Sequence, residues 1–153
     1  MFRGLNAINI DPKGRVAIPA RYRDRLAQDA QDQIVLTIDT EQRCLLLYPL
    51  PTWEEIERKL SLLPTFNPIA RRIQRLLIGH AVEMTLDSHG RILIPTLLRD
   101  YAMLDKRVML LGQGNKFEIW HDENWERCRE GWLKEELTEK LSELPEELKT
   151  IAL

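Results

Sequence analysis

The sequence predicts an α+β, β-rich fold made of two copies of one unit around a shared core. Three observations predict it. Asp11-Pro12-Lys13-Gly14-Arg15, followed by Ile18-Pro19 and Arg23-Asp24, returns as Asp87-Ser88-His89-Gly90-Arg91, Ile94-Pro95 and Arg99-Asp100, seven identities in register at one offset. A motif doubled in a short chain marks two copies of one structural unit. The chain has 153 residues, so each half alone would bury little of its surface, and two halves sharing one core are the better solution. Short alternating or β-branched runs bounded by turn residues fill both copies, which is the signature of strands.

The elements follow in order. Leu5, Ala7, Ile8 and Ile10 form an extended segment that ends at Asp11. Asp, Pro and Gly at the first, second and fourth positions of 11–14 suit a type I turn. Val16 and Ile18 alternate with Arg15 and Ala17, so a strand leaves the turn. Pro19 holds Ile18 extended and opens a helix from Ala20 to Ala27. Ile34–Ile38 and Cys44–Tyr48 are apolar strands joined by a polar turn over Asp39–Arg43. Thr52 is placed to cap a helix from Trp53 to Leu62. A second helix, about Pro68 to Ile78, presents Ile69, Ile73, Leu76 and Leu77 on one side and Arg71, Arg72 and Arg75 on the other, with Gly79 ending it.

The order then restarts. Val82, Met84 and Leu86 run into the Asp87 turn, Arg91–Ile94 leaves it, and Pro95 opens a helix containing Leu97, Leu98 and Arg99. Val108–Leu111 and Lys116–Trp120 repeat the later strand pair, and Asn124-Trp125 repeats Thr52-Trp53. From Arg91 to Trp125 the second copy is four residues shorter than the first from Arg15 to Trp53, a change that belongs in the middle loops. The tail is amphipathic through Trp125, Cys128, Trp132, Leu133, Leu137, Leu141, Leu144 and Leu148, with Gly131 and Pro145 weakening a single long helix. The chain thus divides into a first repeat (1–52), linking helices (53–80), a second repeat (81–124) and a C-terminal amphipathic helical tail (125–153).

Composition narrows the function. The absence of a long apolar run or a secretory layout predicts neither a membrane span nor export. Cys44 and Cys128 are too few and too far apart for a disulfide framework or a metal motif, and fit a reducing cytoplasm. The net charge of −2 argues against a uniformly basic nucleic-acid binder. Its distribution is uneven: Arg3, Lys13, Arg15, Arg21, Arg23 and Arg25 gather near the start, and acidic residues dominate from Glu118 onward. His80, His89 and His121 have no ligand spacing with the cysteines, and no phosphate-binding glycine loop or catalytic triad signature is present. No cofactor, metal, small-molecule substrate or enzymatic activity is expected.

The doubled turn is the candidate site. A bare turn needs Asp and Gly but not Arg after Gly in both copies. An arginine fork can grip phosphate or read guanine O6 and N7 in two parallel bonds. Asp11, Gly14, Asp87 and Gly90 shape the turns, the aspartates accepting local N–H bonds rather than acting as catalytic acids. Arg15 is the first candidate for DNA contact and Arg91 the second, with Lys13, Arg3, Arg21 and Arg23 as candidate backbone clamps. The four tryptophans are read as core or interface residues rather than base-stacking platforms.

Met1-Phe2-Arg3-Gly4, the two Asp-to-Arg elements, the Ile-Pro steps, Leu46-Leu47-Tyr48-Pro49 with Trp53, and Arg75–Ala81 together resemble the MraZ family of bacterial transcriptional regulators over Met1 to about Trp125. The resemblance implies two AbrB-like swapped-hairpin repeats interlocked about a pseudo-twofold axis into a β-barrel with peripheral helices. It implies a homo-oligomeric ring that binds direct repeats of double-stranded DNA in the promoter of the division and cell-wall gene cluster, in the cytoplasm and at the nucleoid. The family's DNA-contacting Asp-x-x-x-Arg motif maps onto Asp11 and Arg15 and onto Asp87 and Arg91. Lys13 is replaced by His89 in the second copy, so that turn is less positive near neutral pH. The rival expectation is a ring-forming or antitoxin-like protein-interaction module using the acidic tail.

Overall fold

The computed structural model describes residues 1–135 and 145–151. Met1–Asp122 forms one compact unit and Glu123–Leu153 a second. The first unit holds eight strands: β1 (Phe2–Asn9), β2 (Arg15–Ala17), β3 (Gln33–Ile38), β4 (Leu45–Pro49), β5 (Val82–Thr85), β6 (Arg91–Leu93), β7 (Arg107–Gly114) and β8 (Phe117–His121). Its helices are α1 (Ala20–Ala30), α2 (Leu50–Ser61), α3 (Pro68–Leu77) and α4 (Thr96–Tyr101). The α+β, β-rich class is therefore as expected.

Pairing exposes the internal symmetry. The main sheet runs β1-β7-β8-β4-β3-β5, and β2 pairs with β6 in a separate ribbon. All ladders are antiparallel. Exchanging first-copy strands for their second-copy counterparts reverses the main order and leaves it unchanged, so the pseudo-twofold passes between β4 and β8 and between β2 and β6. The opening strand of each copy pairs with the other copy: β1 with β7, and β5 with β3. The closed barrel that the resemblance implies is not found among the described residues; a single antiparallel bridge, Ile10 to Val16, joins the end of β1 to β2. Among the described residues no ladder joins β1 to β5, so the six strands form an open sheet with the β2–β6 ribbon beside it.

One core takes residues from both copies. Val16, Ile18, Leu26, Ile34, Leu36, Leu45 and Leu47 pack with Ile92, Ile94, Leu98, Val108, Leu110, Phe117 and Ile119. The opposite faces of β3 and β4 supply Val35, Leu46 and Tyr48 to a second cluster with Trp53, against which Ile56, Leu60 and Leu77 pack. Burial on both faces explains why β3 and β4 read as continuous apolar runs instead of alternating ones. Thr37 is buried there because its hydroxyl donates to the Leu77 carbonyl at 2.6 Å.

Several boundaries move for physical reasons. β1 begins at Phe2 rather than Leu5, because β7 offers backbone partners as far as Gly114. α1 continues to Ala30 and stops where Gln31 and Asp32 enter the left-handed region, at φ 52° and 61°. α2 starts at Leu50 with Pro51 in its first turn, where a missing N–H is harmless, so Thr52 lies inside the helix rather than capping it. Asn67 caps α3 by accepting from the N–H groups of Ile69 and Ala70. α5 (Asp122–Lys134), which from Glu123 belongs to the second unit, runs through Gly131, and α6 (Glu146–Lys149) follows Pro145. Trp125 and Trp132 meet edge to face along α5. Leu137, Leu141 and Leu144 lie outside the described residues.

Candidate nucleic-acid interface

Each doubled turn is wound around one aspartate. In the first, Asp11 Oδ1 accepts from the backbone N–H groups of Lys13 (3.0 Å) and Arg15 (2.8 Å), and Oδ2 accepts from Arg15 Nε (2.7 Å). The main chain closes the loop: Gly14 N–H donates to Asp11 O, and Asp11 N–H to Arg15 O, both at 2.9 Å. The second turn repeats every contact. Asp87 Oδ1 accepts from His89 N–H (2.8 Å) and Arg91 N–H (2.9 Å), and Oδ2 from Arg91 Nε (2.8 Å).

These bonds set the charge state. The Arg15 N–H, aided by the Arg15 side chain and the Lys13 N–H, lowers the Asp11 carboxyl below its ordinary value. The Arg91 N–H, with the Arg91 side chain and the His89 N–H, lowers Asp87 to about 2. Carboxylates bound this way are acceptors only, not acids poised to give up a proton. The ion pairs themselves are about one-third exposed, and such solvent-screened pairs contribute little to stability. Their effect is directional: Nε is fixed, and the Nη edge of Arg15 makes no hydrogen bond among the described residues. The same holds for Arg91.

The ribbon places the two arginines together. β2 and β6 pair with Arg15 opposite Leu93, Val16 opposite Ile92 and Ala17 opposite Arg91. Val16 and Ile92 are buried, so the flanking positions Arg15, Ala17, Arg91 and Leu93 share the opposite, outward face. Arg15 and Arg91 are diagonal neighbours across an antiparallel pair, a spacing of roughly 7–8 Å. Two guanidiniums from different copies thus belong to one surface.

The other candidates separate. Lys13 is exposed on the first turn. Arg21 is exposed on α1, where its Nη2 donates to Asn6 Oδ1 and to the Tyr22 hydroxyl, both at 2.7 Å. Arg3 is exposed near the start of β1, roughly 25 Å from Asp11 at the usual rise per strand residue, so it is not gathered with the turns. Arg23 is half-buried on α1, and its Nε donates to Ile18 O at 2.6 Å. A cleft of about 460 Å³ flanks the first turn, lined in part by Asp11, Pro12, Arg99 and Lys106. Arg99 was absent from the sequence-derived site, although its identity with Arg23 under the repeat offset was the available signal. Among the described residues no group of three His, Cys, Asp or Glu is arranged to hold a metal ion, and no helix is long and apolar enough to cross a membrane.

Comparison with known proteins adds an independent line. A family model described as "MraZ protein, putative antitoxin-like" matches residues 1–76 and again 77–146. A protein of Coxiella burnetii (strain RSA 493 / Nine Mile phase I), named transcriptional regulator MraZ, is 59% identical over 153 residues, covering 100% of both chains. Relatives of the same name are 57% identical in Legionella pneumophila (strain Paris) and 55% identical in Halorhodospira halophila, each again covering 100% of both chains.

Proposed function

The chain belongs to the MraZ family, and from that premise we propose that it is a transcriptional regulator that binds double-stranded DNA and is not an enzyme. The observation that carries this is the shared outward face of Arg15 and Arg91, each held by Nε and each with its Nη edge unbonded among the described residues. A β-ribbon fits the major groove, and an arginine fork there pairs with guanine or bridges phosphates. Lys13, on the first turn itself, is the nearest candidate clamp; Arg21 on α1 and Arg3 near the start of β1 are the others.

The finer reading is a homo-oligomeric ring acting at direct repeats in the promoter of the division and cell-wall gene cluster, at the nucleoid. Charge supports it. A subunit of net charge −2 with one small basic face binds DNA weakly alone, whereas linked subunits on adjacent repeats gain about 10²–10⁴ in affinity without new contact types. We read the cross-copy pairing of β1 and β5 as the AbrB-type swapped hairpin. The test is a gel shift on the chain's own upstream duplex with one repeat against several. Tight binding of the array, lost steeply with salt, is expected. Equal affinity for one repeat and for the array defeats linked binding, and no shift on either duplex favours the antitoxin-like interaction module.

A further inference from the structure

Arg23 and Arg99 form a second repeated pair, and each lies on the other copy's turn. Gly14 has φ +92°, and the place its Cβ would occupy is 2.7 Å from Arg99 Cζ and 2.8 Å from Arg99 Nη1. Gly90 has φ +70°, and its Cβ place is 2.3 Å from Arg23 Nε and 2.6 Å from Arg23 Cδ. The backbone makes the same exchange: Ile18 N–H donates to Gly90 O and Ile94 N–H to Gly14 O, both at 2.9 Å. Each turn glycine is therefore gripped from two sides by the opposite copy. A positive φ excuses glycine in both turns, and the guanidinium adds a second reason, because no side chain fits beneath it.

The energetics point away from stability as the sole role. Arg99 Nη2 donates to Thr96 Oγ1 at 3.0 Å, yet its Nε is buried with no hydrogen-bond partner among the described residues. Arg99 as a whole is half-buried, but an N–H held out of water without an acceptor is unfavourable, and an apolar side chain would cover the glycine without that cost. What arginine supplies is a thin rigid plane that lies against the glycine peptide.

We propose that Arg23 and Arg99 are positioning residues working across the copies: Arg99 holds the first turn and so aims Arg15, and Arg23 holds the second and aims Arg91. The proposal rests on the reading that Arg15 and Arg91 face DNA, and it makes the two reading turns one coupled device. It also gives Arg23 a task other than clamping phosphate.

The experiment uses the full chain and two readouts. Amide hydrogen exchange is followed at Gly14 and Arg15, whose N–H groups are bonded to Asp11, and at Gly90 and Arg91, bonded to Asp87. Arg99→Ala is expected to speed exchange at Gly14 and Arg15 by about tenfold while leaving Gly90 and Arg91 unchanged, and Arg23→Ala to do the reverse. Arg99→Gln and Arg23→Gln, which keep bulk without the guanidinium, serve if the alanine chains do not fold. Loosening within the same copy, or in both turns equally, overturns the proposal. In the second readout, affinity for the upstream duplex is measured against salt. Each variant is expected to weaken binding with an unchanged slope, whereas loss of a direct phosphate contact lowers the slope by about 1 and overturns it. If the parent chain does not bind the duplex, the DNA reading alone fails, and selective exchange across the copies still decides whether these arginines position the turns.

Discussion

The two Asp-to-Arg turns have the same hydrogen bonds but different surroundings, and the contrast separates what builds the candidate site from what charges it. Every bond from Asp11 to Lys13, Gly14 and Arg15 has its equivalent from Asp87 to His89, Gly90 and Arg91. Around that common frame, Lys13 becomes His89, Ala17 becomes Leu93 and Arg21 becomes Leu97. Leu93 and Leu97 are exposed. The first copy is the more cationic and the second the more apolar. Drift in the flanks, with the frame kept, is what unequal shares of one DNA contact would produce.

The largest expected effect breaks the comparison at its centre. Arg15→Ala should abolish binding of the upstream duplex with the fold intact, while Arg91→Ala should weaken it by about 1–3 kcal/mol, the range for one arginine contact. Circular dichroism and a gel shift check both, and equal losses would mean that the copies contribute alike. Next come the glycines. Gly14→Val and Gly90→Val each force a branched side chain into a positive φ and against an arginine, and should cost about 2–3 kcal/mol of stability, read as a drop in Tm.

Acid comes third. A carboxyl whose folded pKa lies below its unfolded value stabilises the fold above the unfolded value and loses that contribution as pH falls through the folded one. For Asp87 that window runs from its ordinary 3.8 down to about 2, and Asp11 is lowered in the same direction. Denaturant unfolding between about pH 6 and about pH 2 should show Asp87→Asn flattening part of the acid limb. The smallest effect sharpens the contrast: His89→Lys should tighten binding a few-fold at low salt and steepen the salt slope by about 1. An unchanged slope would place position 89 away from phosphate.

Legibility in the sequence differed by element. The turns were plain, because Asp, Gly and Arg act on atoms within four residues of one another. The β3 and β4 strands were plain as apolar runs, but not the reason for them, since α2 and α3 cover a second face. The start of α2 lies at Leu50 rather than at Trp53, because the first helical turn tolerates Pro51 and so gives no local sign of the boundary. Arg23 looked like one more exposed cation, and nothing local shows that its Nε is bound to Ile18 O.

By itself, the amino-acid order determined the doubled unit, the shape of each turn and the identity of the arginine that follows each glycine, because short-range hydrogen bonds and φ preferences act along the chain. Only the tertiary structure decided that β1 and β5 cross to the other copy, that the main sheet stays open, and that Arg15 and Arg91 share a face held by Arg99 and Arg23. Strand partners are chosen by which apolar faces can be buried together. That choice is made between residues far apart in sequence, and a repeat pattern is equally compatible with pairing inside a copy or between copies.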